Sequence, residues 1–148
     1  MYIGIDPGKR GGIAWTSGKT QGVYLMPETT LAAYGLLVGI ATGIKPTVII
    51  EQVQVMGKAF GAKAALSYGQ GYGELIGIAT ALGLKIVEVR PSTWKKAMKL
   101  SSDKNESIAL CERLFPEVIL LPTPRCTKPS DGMAEALLLA EYGRRLNL

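Results

Sequence analysis

Apolar positions along this chain follow two rhythms. Short runs of five to seven residues, rich in β-formers and cut off by glycine or turn chemistry, stand at "YIGID" (2–6), "GGIAWTS" (11–17), "TQGVYLM" (20–26), "TVIIEQV" (47–53) and "LKIVEV" (84–89). Each reads as a strand. Connections of two to four residues join the first three, which predicts an antiparallel meander. The run at 47–53 is apolar without alternation as far as its acid, the mark of a strand buried on both faces in mid-sheet. Longer stretches rich in Ala, Leu and Gly predict helices over 28–43, 59–82, 91–98, 103–115 and 130–146. Acidic Glu28 opens the first of these, and Ser102 or Asp103 the fourth. The segment "LPTPRCTKPS" (121–130), with three prolines, is a loop. The order βββαβαβα followed by two more helices is an α/β pattern: a mixed, mostly buried sheet flanked by helices. No repeat or linker divides it, so residues 1–148 read as a single domain, long enough to bury one sizeable core.

Composition narrows the class. With 47% apolar and 20% charged residues the chain reads as globular and soluble. Seventeen Lys+Arg against twelve Asp+Glu give a net charge of +5, compatible with a polyanionic partner without requiring one. There is no histidine, so this charge barely moves between pH 5 and 8. Cys111 and Cys126 lack CxxC spacing, which argues against zinc and for two reduced thiols in a cytoplasmic protein. The longest uncharged run, 29–44, is shorter than the ~20 residues that cross a bilayer, and reads as a core helix. Asp6, Lys9 and Arg10 interrupt the region where a signal peptide needs its apolar stretch. No membrane partner is expected.

Four acids carry the chemistry. Asp6 ends the first strand and Glu51 ends the apolar run "VIIE". Asp131 and Glu135, four residues apart, share one face of the otherwise apolar final helix. If the first and fourth strands are neighbours, Asp6 and Glu51 emerge side by side, and the final helix need only cross that edge to complete a cluster. Crowded carboxylates repel one another, so such a cluster is expected to be stable only with divalent cations. Hard oxygen ligands without histidine or thiolate select Mg²⁺ or Mn²⁺. Two such ions about 4 Å apart would activate water and stabilise the leaving oxygen in phosphodiester cleavage. Plainer readings stand beside this one. Asp6 before Pro-Gly is turn chemistry, and Asp131 is of the N-capping type. Glu135 cannot complete a capping box with Asp131, because the spacing is four rather than three.

"IGIDPGKRGGIAW", "VIIEQV" and "DGMAEALLLAEY", in that order, resemble the three signature segments of the RuvC-type Holliday junction resolvases, within the ribonuclease H-like superfamily. "GQGYGELIG" (69–77), "RPSTWKKAM" (90–98) and "SSDKNESIALCERLF" (101–115) extend the resemblance over nearly the whole chain. It implies a ribonuclease H-like mixed five-stranded sheet and a homodimeric, metal-dependent endonuclease that nicks two symmetry-related strands of a four-way DNA junction. By position, Asp6, Glu51 and Glu135 match the metal-binding acids of the family. Asp131 matches less well, because the family places its partner acid or histidine three residues before the last acid, where Gly132 stands here. The last acid is Glu rather than the commoner Asp. The position after "EQV", often an aromatic that wedges at the junction centre, is Gln54, with Phe60 as a substitute. Lys95 and Lys104 match lysines that lie beside the acids and contact the scissile phosphate. Lys9, Arg10, Lys58, Lys63 and Lys96 are candidates for holding DNA phosphates. Compact length and the final-helix motif resemble a bacteriophage-type member, acting in the cytoplasm of a bacterial or phage-infected cell.

Other classes remain in view. A ribonuclease H acting on RNA–DNA hybrids, or a nuclease for other branched DNA, uses the same metal chemistry. The first motif alone also resembles the phosphate loop of actin-like ATPases, which need two such domains around a nucleotide. "GQGYG" lies inside a helical stretch and is no dinucleotide fingerprint. Gly69, Gly73 and Gly77, with Leu66, Tyr68 and Ile76, instead suit close helix packing across a dimer interface, or else packing on the chain's own sheet. Trp15 reads as core and Trp94 as packing for the lysine-bearing helix; Cys126 and Lys128 lie in a loop expected near the site.

Overall fold

A computed structural model of the chain describes residues 1–53 and 61–148. Its sheet has the order β3-β2-β1-β4-β5, with β1 Tyr2–Asp6, β2 Gly12–Thr16, β3 Gln21–Leu25, β4 Thr47–Glu51 and β5 Lys85–Val89. The first three strands form the expected antiparallel meander, and β4 and β5 run parallel to β1. The helices are α1 Thr30–Ala41, α2 Ala62–Ala81, α3 Pro91–Ala97, α4 Lys104–Leu114 and α5 Asp131–Leu146. Sequence patterns overshoot most elements by a residue or two. Strand β4 ends at Glu51, although Gln52 N still donates to Val89 O at 2.7 Å; the apolar Val53 lies beyond the pairing.

The starts of α1 and α5 correct the sequence reading, while α4 opens on Asp103, one of the two residues expected there. Hydroxyls and Asp103 do the capping rather than acids placed in the first turn. Thr29 accepts from Ala32 N at 3.2 Å, leaving Glu28 outside α1, and Ser130 accepts from Met133 N at 3.2 Å. Asp131 is therefore not the N-cap of α5; Ser130 is. Residues 59–60 of the predicted second helix lie outside the described residues.

The core is split by the sheet. One face packs α3, α4 and α5 around Ile49, Trp94, Leu137 and Leu138; the other packs α1 and α2 over Ile3, Ile5, Val48 and Ile50. The core helix is α5, buried continuously over residues 132–143. The stretch at 29–44 is not one: in α1 only Ala33 and Leu37 are buried, and Leu31 is 77% exposed. A helix apolar on every side does not reveal which face it buries. Backbone-close contact seats α5. A Cβ at Gly4 would lie 1.9 Å from Ala136 O, and one at Gly143 would lie 2.5 Å from Ile49 Cγ1. Trp15, expected in the core, is only partly buried. Both cysteines are free. Among the described residues no helix is long and apolar enough to cross a membrane.

Candidate active site

Parallel pairing of Ile5 with Ile50 makes Asp6 and Glu51, each the next residue, leave β1 and β4 side by side. Alternation along a strand puts Asp6 on the face of Gly4 and Glu51 on the face of Ile49, which is the face that α5 covers. The turn after β1 closes through Gly8 N, which donates to Asp6 Oδ1 at 3.1 Å. That turn hydrogen bond makes Asp6 a turn-former without removing its carboxylate from the neighbourhood of the other acids, so the two readings of Asp6 are compatible.

From above, α5 brings Glu135 and Asp131. Glu135 is 8% exposed, and its Oε1 accepts from Lys95 Nζ at 2.7 Å and from Ser107 Oγ at 3.1 Å. Asp131, half-buried, pairs with the largely exposed Lys104. The spacing of four has a steric cause. Gly132 touches the turn after Asp6 so tightly that a Cβ there would lie 2.1 Å from Arg10 O and 2.5 Å from Gly11 Cα. No side chain fits at 132, and the acid stands one residue earlier, still on the side of Glu135.

Trp94 goes beyond packing. Fully buried in α3, it donates from Nε1 to Glu51 Oε2 at 2.6 Å and carries Lys95 Nζ 5.4 Å from its ring centroid. Ser107 and Trp94 escape sequence reading because their partners lie 28 and 43 residues away. The only local signal for Ser107 is its position one turn after Lys104 on α4. Tyr68 of α2, a candidate for a dimer interface or for packing on the chain's own sheet, is half-buried close enough to the acids for the charges of Asp6 and Glu51 to act on it. Ile76 likewise packs partly on the chain's own core. Tyr68 lies two turns before Leu75 and Ile76 one turn before Ala79, and Leu75 and Ala79 are buried residues of α2.

Electrostatics divide the acids into two kinds. Burial pushes the Asp6 carboxyl up to about 6; the Gly8 amide opposes this, while the charges of Glu135 and Asp131 add to it. Burial pushes Glu51 up to about 7, against the Trp94 hydrogen bond and with the repulsion of Asp6 and Glu135. For Asp131, burial is outweighed by the Lys104 hydrogen bond and charge, so its carboxyl is held below the ordinary range. The expectation that divalent cations alone would hold such a cluster together covers only part of it, because Lys95 and Lys104 pair with its α5 half. Among the described residues no three acidic or thiol side chains close around one point as an ion cage. The donor set nonetheless fits a hard divalent cation, being four carboxylates without histidine or thiolate, two of them destabilised as anions.

Of the remaining candidates, Lys9 and Arg10 are exposed in the turn after β1, and the Arg10 charge reaches Asp131. Lys63 and Lys96 are exposed on α2 and α3, away from any ion pair with the acids. Gln54, Lys58 and Phe60 lie outside the described residues. Among the described residues the glycines of α2 do not pack on the chain's own sheet: a Cβ at Gly69, Gly73 or Gly77 would meet nothing within 4 Å.

The sequence matches no family model and no curated relative. Solved structures do match. T. thermophilus RuvC in complex with a Holliday junction substrate aligns over 98% of this chain and 94% of its own, with a TM-score of 0.65 at 15% identity. A second Thermus thermophilus RuvC structure aligns over 99% and 96%, with a TM-score of 0.59 at 19% identity. The chain has the RuvC-type, ribonuclease H-like fold.

Proposed function

We propose that this chain is a divalent-metal-dependent endonuclease of branched DNA, resolving four-way junctions as a homodimer by paired, symmetric nicks. The observation that carries the reading is that Asp6 and Glu51 leave neighbouring strands side by side within reach of the Glu135 charge, while Lys95 and Lys104 pair with Glu135 and Asp131 on α5. The RuvC-type fold supports the same class of chemistry, and one of the similar structures holds a Holliday junction. The four acids would hold Mg²⁺ or Mn²⁺, two ions per site, which supply a nucleophilic water and charge on the leaving oxygen when bound.

The protein's own part is to prepare that site. Trp94 fixes Glu51, Ser107 and Lys95 fix Glu135, and the Gly8 amide fixes Asp6. Lys104, with a side chain 67% exposed, can turn from Asp131 to a phosphate, where a cation offsets charge building in the transition state. Lys9, Arg10, Lys63 and Lys96 would hold backbone phosphates, which position DNA without reading its sequence. Resolution needs two matching nicks, hence two active sites related by the junction's symmetry. The open glycine face of α2, beside Leu66 at 73% exposure, is the candidate interface between copies of this single-domain chain.

The deciding experiment compares a four-way junction, a flap, a linear duplex and an RNA–DNA hybrid in Mg²⁺ and in Mn²⁺. Paired nicks in the junction with little cutting of the duplex are expected. Preferential cutting of the hybrid would move the chain to the ribonuclease H activity instead.

A further inference from the structure

Ser107 is a polar residue where packing calls for an apolar one. It and Cys111 are the buried residues of α4, and its side chain is wholly enclosed. A hydroxyl so placed costs desolvation free energy unless it is hydrogen-bonded. Its partner is Glu135, whose Oε1 it reaches at 3.1 Å, and which is itself a carboxylate only 8% exposed in the buried stretch of α5. We propose that Ser107 is the positioning residue that holds Glu135 through Oε1, and so presents Oε2 as the ligand oxygen, once a divalent cation has loosened the ion pair with Lys95. The inference rests on the nuclease reading above and deepens it, by separating the two donors that share Glu135.

Both donors reach one oxygen. Lys95 Nζ stands 2.7 Å and Ser107 Oγ 3.1 Å from Oε1, and among the described residues no donor reaches Oε2. No enclosed side-chain oxygen among those residues lacks a partner, so Oε2 opens to accessible space rather than being sealed in the core. Asp6 and Glu51 are held in the same manner, Oδ1 of the first by Gly8 N and Oε2 of the second by Trp94 Nε1. A carboxylate held through one oxygen has its other oxygen fixed in direction, and partners of this kind orient a ligand and raise its affinity for metal.

The two donors differ in how they meet a cation. Lys95 is itself charged and stands on a long, flexible stem, with its side chain 19% exposed. Beside a divalent cation its ammonium is repelled by a like charge and competes for the same carboxylate, so this ion pair weakens as the site fills. The Ser107 hydroxyl is neutral, sits on a short side chain and is enclosed where α4 packs on α5. No like charge pushes it away. It keeps its hydrogen bond in the loaded site, where Lys95 is free to turn to a phosphate.

The test is Mn²⁺ binding to DNA-free protein by isothermal titration, beside junction cleavage over a Mn²⁺ series. Ser107→Ala is expected to bind Mn²⁺ about tenfold more weakly, the low end of what losing a ligand's partner costs. Its cleavage should need about tenfold more Mn²⁺ to reach half its maximum, with that maximum and the KM for junction nearly kept. A role in folding alone would move the Tm and leave Mn²⁺ affinity unchanged. Ser107→Thr keeps the hydroxyl and should restore wild-type affinity. Ser107→Cys, a weak donor of similar volume, should also bind more weakly than wild type, and it carries the test if the Ala variant does not fold. Lys95→Met keeps the stem without the charge and should bind Mn²⁺ at least as tightly as wild type, although cutting falls. Three results overturn the role of Ser107 and leave the nuclease reading intact: wild-type Mn²⁺ affinity in folded Ser107→Ala or Ser107→Cys, Ser107→Thr no better than Ser107→Ala, or the loss of affinity in Lys95→Met instead. Wild-type protein that binds no Mn²⁺ and cuts no junction overturns the nuclease reading itself, and this inference with it.

Discussion

Trp94 Nε1 donates a hydrogen bond to Glu51 Oε2 at 2.6 Å, tying a wholly buried indole in α3 to the acid at the end of β4. This bond favours the ionised carboxylate against the burial that pushes Glu51 up to about 7. Trp94→Phe removes the donor along with part of the indole's buried volume. Its expected effects are a stability loss of about 1–3 kcal/mol, from leaving a partly buried carboxylate short of a partner, and a further rise in the Glu51 pKa. The acid limb of the pH–rate profile on junction DNA should therefore move to higher pH. An unmoved limb would mean that Glu51 ionises without help from Trp94.

Asp6, Glu51 and Glu135 are expected to be individually necessary. Asp6→Asn, Glu51→Gln and Glu135→Gln preserve shape but lose the charge that would hold ions, so cleavage should be abolished while junction binding persists. Isothermal titration with Mn²⁺ reads the same loss without activity. Near wild-type turnover at saturating Mg²⁺ in any of them removes that residue from the ligand set.

Asp131 and Gly132 should part company. Asp131→Asn leaves the Ser130 cap in place, so stability should hardly change while cleavage falls severely. Gly132→Ala forces a Cβ toward Arg10 O at 2.1 Å, a clash with backbone that cannot swing aside. It should cost at least the ~1–3 kcal/mol of ordinary overpacking. An active Asp131→Asn protein would make this acid a partner of Lys104 and nothing more.

Strands and the adjacency of Asp6 and Glu51 were legible because an acid ending a β-branched run is a local signal, and the parallel register of β1 and β4 does the rest. The meander was legible for the same reason, its turns being short. The buried face of α1 was not, since an unbroken apolar surface has no stripe to read. Nor was the reason for the shifted Asp131, since the Arg10 carbonyl that leaves no room for a side chain at Gly132 lies more than a hundred residues away in sequence. Trp94 and Ser107 stayed hidden because long-range partners leave no periodicity in the chain.

Metal-free protein should be more stable at pH 5 than at pH 8. Asp6, raised from 3.8 to about 6, and Glu51, raised from 4.5 to about 7, hold protons in the native state that the unfolded chain has already released. Their contribution is full below the unfolded values and is lost as pH rises through about 6 and then about 7. With no histidine in the chain, few other groups titrate in this window. The carboxyls of Asp131 and Glu141 are lowered below it, and the Lys104 ammonium is raised above it. The Tm in EDTA should therefore fall from pH 5 to pH 8, and Mg²⁺ should raise it more at pH 8, where the carboxylates are ionised. A Tm that rises over this range in EDTA would contradict the burial of the two acids.

Assembly can be tested at a position that costs the fold nothing. Gly73 lies mid-way along α2 at an exposed position, and a Cβ there would meet nothing within 4 Å among the described residues. Arg is a better helix former than Gly by roughly 0.5–1 kcal/mol, so Gly73→Arg should melt no lower than wild type. At a two-fold interface, however, each copy would drive its guanidinium into the partner helix, against a like charge and without room for it. Wild-type protein at micromolar concentration should sediment as a dimer and Gly73→Arg as a monomer. On junction DNA the variant should leave singly nicked molecules where wild type yields resolved duplexes. A wild-type chain that remains monomeric with and without junction DNA would remove the dimer, and with it the paired nicking that resolution requires.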